Sequence, residues 1–481
     1  MNRLFFAGAM IVVAAFASCS ESPSGNPQIT SNELQSTVKY LSSPELQGRL
    51  AGSEGYNKAA AYVADCYKQW GLQNAGFEDY YQQFLLEYNQ IEESHFAIAT
   101  HDTTLEYSLG NDYICRGFSG SGDIQAPVVF CGYGISRPQM GYDDFEDVNV
   151  AGKIVLEFKA DPRWKIKGKH IGYRSLRKKV KAARGHGAKA IIYVSRTNAR
   201  NPQKPIGSVM HGEGPQYEDF PQIHVSLDVA RELFNRSGQS LTELQMAIDS
   251  AQKPHSVELS PRAHIRVDAQ YDPQKPSMNV VGMVEGDSLK NEYLVVGAHL
   301  DHVGSQAGRV YFPGANDNAS GVASMLEMAE AFALNDIKPR RSILFVAFSA
   351  EEQGLNGSRY FVDHLPVNKS RIKAMINLDC VAHGDSIAVG GGKSAPKLYR
   401  VVRTRDAAME KMMTNTTWKG GGADATPFFE QGIPTLYFVT QHSYTYLHLP
   451  GDKPETLNEK LHAYLTRLAY QATLQMANQM E

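Results

Sequence analysis

Short apolar runs in the second half of the chain predict a sheet of buried strands. Residues 294–298 (LVVGA) and 343–348 (ILFVAF) are rich in β-branched or aromatic residues, and their length is typical of strands. Similar runs at residues 279–284, 374–378 and 435–439 alternate with helical patterns. The predicted helices cover residues 320–334, 357–364, 395–413 and 457–480. This alternation predicts an α/β fold with a doubly wound, largely parallel central sheet flanked by helices.

The first half of the chain divides into an N-terminal part and a block of different character. Residues 31–71 carry a helical pattern interrupted by a Gly- and Ser-rich turn, and residues 84–106 alternate as strands do. Short strands and helices are then predicted at 127–133, 153–158, 174–184, 190–194 and 227–234. We therefore expect a main domain of residues 31–110 and 263–481, interrupted by a smaller, mainly-β or α+β domain at residues 111–262.

The first residues have the features of an export signal. Arg3 is followed by an apolar run to Ala17, and the sequence AFASC places small residues before Cys19. This pattern predicts a signal peptide at residues 1–18 and a bacterial lipoprotein anchored through Cys19 at the periplasmic face, outer membrane or cell surface. A plain signal peptide with an incidental cysteine is the alternative. The apolar run is shorter than the ~20 residues of a membrane-spanning helix, and residues 19–30 are expected to form a flexible tether.

Composition and charge indicate no overall attraction to nucleic acid. The 481 residues include 42% apolar and 21% charged residues, and the net charge is -3, so the surface as a whole does not favour anionic partners. The basic run at residues 165–189 is interpreted as a solvated helix face, because no aromatic residues are interleaved along that helix for base stacking.

The cysteines beyond the N-terminus show no spacing typical of a metal site. They are Cys66, Cys115, Cys131 and Cys380. We expect mostly buried free thiols, with a Cys115–Cys131 disulfide as the main alternative in an oxidising compartment.

Side chains that suit metal ions follow the predicted strands or open the helices. In an open α/β sheet, ligands bind beyond the carboxyl ends of the strands, so residues far apart in sequence converge there. The residues at these positions are His299, Asp301, Asp317, Glu351, Glu352, Asp379 and His448. Two imidazoles and several carboxylates provide the ligands that two zinc ions need, and one carboxylate can bridge the ions. Singly, each residue could be a helix cap or a solvated loop residue, but together they predict a two-metal site.

Two closely spaced pairs of residues suggest a division of roles. Glu351 and Glu352 are adjacent in a turn after a strand, so one can bind a metal ion while the other faces a bound water as a general base. Asp301 lies two residues beyond His299, and its carboxylate is expected to accept the second imidazole N–H. The sequence contains no G-x-S-x-G or H-E-x-x-H motif, and no Walker loop or dinucleotide fingerprint.

Five motifs in a fixed order resemble the di-zinc aminopeptidase family, which also includes glutamate carboxypeptidase-like enzymes and glutaminyl cyclases. They are GAHLDHVG, GANDNASG, FSAEEQGLNGS, NLDCVAHG and YLHLPGD. The segment SSPELQGRLAGS is similar to the family's N-terminal segment. Residues 111–262 resemble the protease-associated domain that is often inserted in these enzymes. The resemblance covers nearly all of the chain that follows the signal segment.

The resemblance implies two zinc ions per chain and a role for each ligand. Asp317 is expected to bridge both ions. His299 and Asp379 then complete the ligands of one ion. Glu352 and His448 complete those of the other.

The resemblance also implies the remaining catalytic roles. Glu351 is the expected general base, and Asp301 orients the first histidine ligand. The family tends to have a cis peptide bond after the bridging carboxylate, here Asp317–Asn318. In ADATPFFEQGIP, Ala425 stands where the family commonly has histidine, which leaves the role of Asp424 open.

The implied activity is that of a zinc-dependent aminopeptidase, which hydrolyses N-terminal residues from peptides with a bridging water or hydroxide and a glutamate base. Peptides are the expected partners, and membrane contact is expected only through the N-terminal lipid. A carboxypeptidase, a dipeptidase and a glutaminyl cyclase are alternatives on the same fold. A non-catalytic surface binding protein is a further alternative, although all seven site positions are kept. Tyr444 or Tyr446 either helps to hold the oxyanion or packs in the pocket wall.

Overall fold

The computed structural model describes residues 28–100, 103–235, 238–336 and 338–479. The predicted signal peptide and Cys19 lie outside these residues, so the lipid anchor stays a prediction. The helices in the described ranges are α1 Ser31–Leu41, α2 Glu54–Gln69, α3 Leu176–Gly185, α4 Leu227–Leu233, α5 Leu241–Ala251, α6 Ser320–Ala333, α7 Asn356–Asp363, α8 Pro396–Ala408, α9 Ala425–Glu430 and α10 Glu459–Gln479. Each of these described helices lacks the length or the apolar character needed to cross a lipid bilayer.

Most strands of the described chain belong to one mixed sheet of 15 strands. The strands are β1 Tyr81–Ala99, β2 Thr104–Glu106, β3 Tyr113–Cys115, β4 Gly122–Phe130, β5 Ser136–Arg137, β6 Tyr142–Asp143, β7 Ile154–Phe158, β8 Lys165–Ile166, β9 Lys169–His170, β10 Ala190–Val194, β11 Gln222–Val225, β12 Val257–Val284, β13 Leu289–His299, β14 Ser305–Gln306, β15 Val310–Tyr311, β16 Arg341–Phe348, β17 Ile372–Leu378, β18 Ile387–Gly390 and β19 Thr435–Thr440. The pairs β5–β6 and β8–β9 form two small separate ribbons.

One end of the large sheet is the predicted doubly wound part. Strands β19, β17, β13 and β16 lie side by side and run parallel, and β18 is antiparallel at the edge. Successive side chains of a strand point to opposite faces. In β13, Leu294 and Val296 pack with α1, α2, α6, α8 and α10, whereas Val295 packs with α7 and α9 on the other face. The predicted α/β class, with a largely parallel sheet between helices, is confirmed.

The strands of residues 111–262, which we call the insert, form the other end of the sheet. Strands β4, β7, β10 and β11 run parallel in this order, and β3 is antiparallel at the edge. Helix α3 packs on one face of these strands, and α4 and α5 pack on the other. Helix α5 was not predicted from the sequence. The insert therefore has its own pair of apolar layers.

Two long strands join the insert to the main domain. Strand β12 has 28 residues; its first part pairs with β4 and its last part pairs with β16. Strand β1 pairs antiparallel with β12 over most of its own length. A strand was predicted only at residues 279–284, whereas β12 begins at Val257 and includes Pro261, Pro273 and Pro276. The two sheets of the main domain and the insert are therefore continuous.

The cysteines of the described chain are free thiols, as the sequence analysis favoured. Cys115 and Cys131 are both buried and are not bonded to each other. Burial raises the pKa of the Cys115 thiol to about 12, so this thiol stays protonated and packs as a small apolar group.

Candidate metal centre

The parallel strands bring the predicted site residues to one edge of the sheet. His299 is the last residue of β13, and Asp379 directly follows β17. Glu351 and Glu352 lie in the turn after β16, which ends at Phe348. Because β13, β16 and β17 are parallel, their carboxyl ends meet at the same edge.

Two further site residues come from the segments beside this edge. Asp317 lies in Ala315–Ala319, the turn that leads directly into α6, and its side chain is almost fully buried. The peptide bond Asp317–Asn318 is cis, as the resemblance implied. His448 lies in the loop after β19, with a φ of 53°. The two segments meet there because Asp452, later in the same loop, accepts hydrogen bonds from the backbone of residues 316 and 317.

His299, Asp317 and Asp379 form the first group of candidate ligands. Nε2 of His299 lies 3.3 Å from Oδ1 of Asp317 and 3.5 Å from Oδ1 of Asp379. All three side chains are buried, and Oδ1 of Asp379 has no hydrogen-bond partner among the described residues. A buried carboxylate oxygen without a donor is costly unless a cation compensates it. The donor set and its burial therefore fit a metal ion.

Glu352, His448 and Asp317 form a second group, and His302 joins them. Nε2 of His448 lies 2.9 Å from Oε2 of Glu352 and 3.4 Å from Oδ2 of Asp317. Nδ1 of His302 lies 2.8 Å from Oε1 of Glu352. One donor atom from each of the four residues lies within 4.8 Å of the others. His302 was not predicted as a site residue, although it is visible as the second histidine of GAHLDHVG.

The two oxygens of Asp317 face different groups. Oδ1 faces His299 of the first group, and Oδ2 faces His448 of the second. A carboxylate placed in this way can share its two oxygens between two neighbouring ions, as in two-metal hydrolases. The positions of its two oxygens would therefore allow Asp317 to bind both ions.

Asp301 supports the site differently from the expectation. Nδ1 of His299 lies 3.1 Å from the backbone carbonyl oxygen of Asp301 and 3.8 Å from its carboxylate. The Asp301 carboxylate instead accepts hydrogen bonds from the backbone N–H groups of Glu351 and Glu352, at 3.1 and 3.3 Å. The extended segment after β13 thus directs the side chain toward the end of the neighbouring strand β16. Asp301 therefore holds the Glu351–Glu352 turn, while its main chain orients His299.

The charges of the site require compensation by cations. Burial raises the pKa of Glu351 well above its usual value, and it raises the pKa of Asp301 to about 7. Burial also acts to raise the pKa of Glu352, but His448 and His302 outweigh this effect and lower the pKa to about 2. Several carboxylates this close would repel one another when ionised, and bound cations remove that repulsion.

Arg49 fixes the two loops that carry the first ligands. It is fully buried, and its Nε donates to the carbonyl of Leu300 at 2.8 Å. Its Nη1 and Nη2 donate to the carbonyls of Pro313 and Gly314 at 2.8 and 3.0 Å, and Nη1 also contacts the carbonyl of Leu41. The segment around GRLAGS therefore ties α1 to the loops that precede Asp301 and Asp317.

Aromatic side chains border the first group. Tyr437 was not predicted, and its hydroxyl donates to Oδ2 of Asp379 at 3.1 Å. Tyr444 is 55% exposed, with its hydroxyl 3.4 Å from that of Tyr437, so it is available to a ligand. Tyr446 instead packs edge-on against His383.

Asp424, whose role the sequence left open, lies fully buried next to the site. Burial raises its pKa to about 7, and the nearby carboxylates of Asp379 and Glu352 add to the rise, although His299 opposes it. A carboxyl in this setting takes up a proton easily. It belongs to neither group of candidate ligands.

Comparison with known families identifies the chain. Residues 279–473 match the model of Peptidase family M28, and residues 124–233 match that of the PA domain. Residues 279–473 of the main domain belong to peptidase family M28. The predicted enzyme class, a metallopeptidase that hydrolyses peptide bonds, is confirmed by this match, as is the inserted protease-associated domain.

Relatives of the chain include enzymes and a receptor. It is 26% identical to Aminopeptidase YwaD of Bacillus subtilis over 450 residues, which are 88% of this chain and 80% of the relative. It is 24% identical to human Transferrin receptor protein 2 over 420 residues, 76% of this chain but 49% of the receptor.

Solved structures show that the fold extends over the main domain and the insert. BSAP, a zinc aminopeptidase from Bacillus subtilis, is 20% identical with a TM-score of 0.66, and the match covers 95% of this chain and 97% of BSAP. The Peptidase M28 precursor from Shewanella amazonensis is 20% identical with a TM-score of 0.67, and the match covers 94% and 96% of the two chains.

Proposed function

We propose that this M28 peptidase is a zinc-dependent aminopeptidase that uses two zinc ions per chain. The observation that carries the proposal is the pair of ligand groups on the two oxygens of Asp317. The names of two relatives, Aminopeptidase YwaD and the zinc aminopeptidase BSAP, support the reaction and the metal.

The ligands divide between the two ions as follows. His299 and Asp379 would hold one ion, Glu352 and His448 would hold the other, and Asp317 would contact both. The hydrogen bond from His302 would orient Glu352, as residues behind a ligand commonly do. When bound, zinc supplies a Lewis acid that lowers the pKa of water and polarises the scissile carbonyl.

Glu351 is the base in this proposal. It belongs to neither group of candidate ligands, although Glu352 beside it does. The hydrogen bond from its backbone N–H to Asp301 holds the turn in place. Its carboxylate would take a proton from the attacking water and deliver it to the leaving amine, which is the usual task of such a group. Burial raises the pKa of the Glu351 carboxyl, which makes its carboxylate a stronger proton acceptor.

A substrate panel tests the proposal directly. Aminoacyl-p-nitroanilides, unblocked dipeptides and N-terminally blocked peptides are assayed with chelator, and again with zinc added back. We expect release of N-terminal residues from unblocked substrates only, with loss of activity in chelator and recovery with zinc.

Three other outcomes would each contradict the proposal and indicate an alternative. Release of C-terminal residues from blocked peptides would identify a carboxypeptidase. Cyclisation of N-terminal glutamine would identify a glutaminyl cyclase. Zinc binding without any turnover would favour a binding protein, a class that the receptor relative also represents.

A further inference from the structure

A short ribbon on the surface of the insert carries a concentration of positive charge. Strands β8 and β9 pair only with each other, outside the large sheet, and residues 167 and 168 form the turn between them. Residues 163–170, here called the basic hairpin, contain four lysine or arginine residues and no aspartate or glutamate. All four cations are exposed: they are Arg163, Lys165, Lys167 and Lys169.

The cations of the neighbouring helix α3 are neutralised, whereas those of the basic hairpin are not. Nη1 of Arg177 lies 2.8 Å from Oε2 of Glu87, and Nη2 of Arg184 lies 3.0 Å from Oδ2 of Asp219. Lys179 is buried and donates to two backbone carbonyls. Among the described residues, no carboxylate oxygen lies within 4.0 Å of a charged nitrogen of the basic hairpin. The basic run predicted as one solvated helix face thus has its uncompensated charge mainly in the hairpin.

Trp164 holds the basic hairpin against the insert. Its Nε1 donates to Oδ1 of Asp249 at 3.0 Å, and its ring centroid lies 5.4 Å from that of Tyr142. Ile166 packs against the same apolar layer. An isolated two-stranded hairpin is only marginally stable, so these contacts fix the ribbon in place. The apolar side chains therefore face the insert, while the lysines remain in contact with solvent.

The stability of the ribbon does not account for its lysines. Like charges on a short pair of strands repel one another and lower its stability, and Lys165 lies directly opposite His170. Lys167 has a φ of 48° in the turn, a conformation that glycine and asparagine adopt more easily. The clustered charge therefore costs stability, and an anionic partner would offset this cost.

The aromatic residues of this region are not free to stack on nucleic-acid bases. The ring of Trp164 packs inside the insert. The hydroxyl of Tyr173 donates to the carbonyl of Ser136 at 2.8 Å, and Arg137 covers its ring. Proteins that bind single strands without sequence preference use exposed rings for stacking. A lipid surface needs no such rings, because anionic headgroups attract clustered lysines and arginines by charge alone.

We propose that the basic hairpin binds the anionic headgroups of a lipid bilayer and so orients the insert on the membrane. The lipid anchor predicted at Cys19 would keep the hairpin close to such a surface, and a tether of this kind makes even a weak contact effective. Each lysine or arginine near an anionic surface strengthens binding by roughly 5-fold. The contact extends the interaction with the membrane beyond the N-terminal lipid alone.

Vesicle sedimentation tests the proposal. Every preparation is the full chain with Cys19→Ser, so that no lipid is attached there. Vesicles of phosphatidylcholine are compared with vesicles of equal parts phosphatidylcholine and phosphatidylglycerol. We expect binding to the anionic vesicles only, and weaker binding as salt screens the charges. Because neutral vesicles are included, any insertion of the apolar run at residues 1–18 is measured separately.

Two triple variants locate the contact. Replacing the three lysines of the hairpin by glutamine (K165Q, K167Q and K169Q) should weaken binding to anionic vesicles by roughly 100-fold. The matched control replaces three exposed lysines elsewhere on the surface (K253Q, K397Q and K460Q) and should keep most of the affinity. Both variants change the net charge equally. Both should keep the melting temperature of the parent protein, since all six side chains are exposed.

Three outcomes would overturn the proposal. Equal binding to neutral and anionic vesicles would exclude recognition of headgroup charge. An equal loss of binding in the two triple variants would show that net charge, and not the hairpin, is responsible. Binding of a single-stranded oligonucleotide that needs the hairpin lysines, without binding to anionic vesicles, would identify nucleic acid as the partner.

Discussion

Replacing Glu351 by glutamine should remove the base and leave the rest of the site unchanged. Glu351 belongs to neither group of candidate ligands. Its backbone N–H, which donates to Asp301 at 3.1 Å, is kept in the variant. Glutamine has nearly the same volume, so no cavity is created. Because burial raises the pKa of Glu351, a neutral amide should also be tolerated there. We therefore expect Glu351→Gln to fold and to bind zinc as the wild type does.

The expected loss of activity is large because the other carboxylates are engaged. Asp317, Glu352 and Asp379 face the candidate metal positions, and Asp301 accepts two backbone hydrogen bonds. A positioned base contributes roughly 10²- to 10⁴-fold to the rate. Because these carboxylates are engaged, they cannot replace Glu351 as the base. We therefore expect kcat to fall by roughly 10³- to 10⁴-fold, which is the upper part of this range and corresponds to about 4–5.5 kcal/mol in activation free energy.

The assay compares steady-state hydrolysis of leucine p-nitroanilide with zinc content and melting temperature in the same preparations. Glu352→Gln is the matched control, because it removes a candidate ligand from the neighbouring position and should lose zinc as well as activity. Near-normal turnover of Glu351→Gln with its full zinc content would refute the assignment of the base. Loss of zinc in Glu351→Gln would instead place this residue among the ligands.

Three further predictions concern the surroundings of the site and the insert. Arg49→Met should lose about 3–5 kcal/mol of stability in urea unfolding, because it leaves buried carbonyls without a donor; an unchanged midpoint would contradict this. His302→Leu should weaken the second zinc site by roughly 10- to 100-fold, measured by chelator competition, because Glu352 loses its partner; equal affinity would show that the contact is incidental. Burial raises the pKa of Glu157 to about 8, so its folded form prefers the proton. The associated stability is complete below the carboxyl's ordinary pKa and is lost as pH rises through about 8. Glu157→Gln should remove this loss, on the order of 3–5 kcal/mol, when unfolding is compared at acidic and basic pH; an unchanged pH dependence would contradict it.

The convergence of the candidate ligands at one edge of the sheet could be predicted from the sequence, because most of them follow a strand or precede a helix. What the sequence could not supply is the direction of side chains within the turns. The spacing of Asp301 from His299 suggested a contact between the carboxylate and the imidazole, but the turn directs the carboxylate to the backbone of residues 351 and 352. His302 was not predicted for the same reason. Its contact with Glu352 depends on the loop after β13, which Arg49 holds by a hydrogen bond to Leu300 although the two residues are 251 positions apart in the sequence.

The main-domain strands could be predicted because they are buried on both faces and carry continuous apolar runs. Strand β12 could not, since its middle part is polar and contains prolines. Its pairing with β1 is a long-range interaction that appears only when the two segments are aligned in space. Local patterns report burial well, but they report which strand pairs with which only weakly.

This pairing limits how far the insert can move relative to the metal centre. Rotating the insert away would break part of the ladder between β1 and β12, together with the hydrogen bond between Gly207 and His448. Each buried backbone hydrogen bond left unmade costs about 1–3 kcal/mol, so such a rotation is unfavourable. The insert is therefore held in place beside the metal ligands before a peptide binds, and the cost of ordering the site on binding is small.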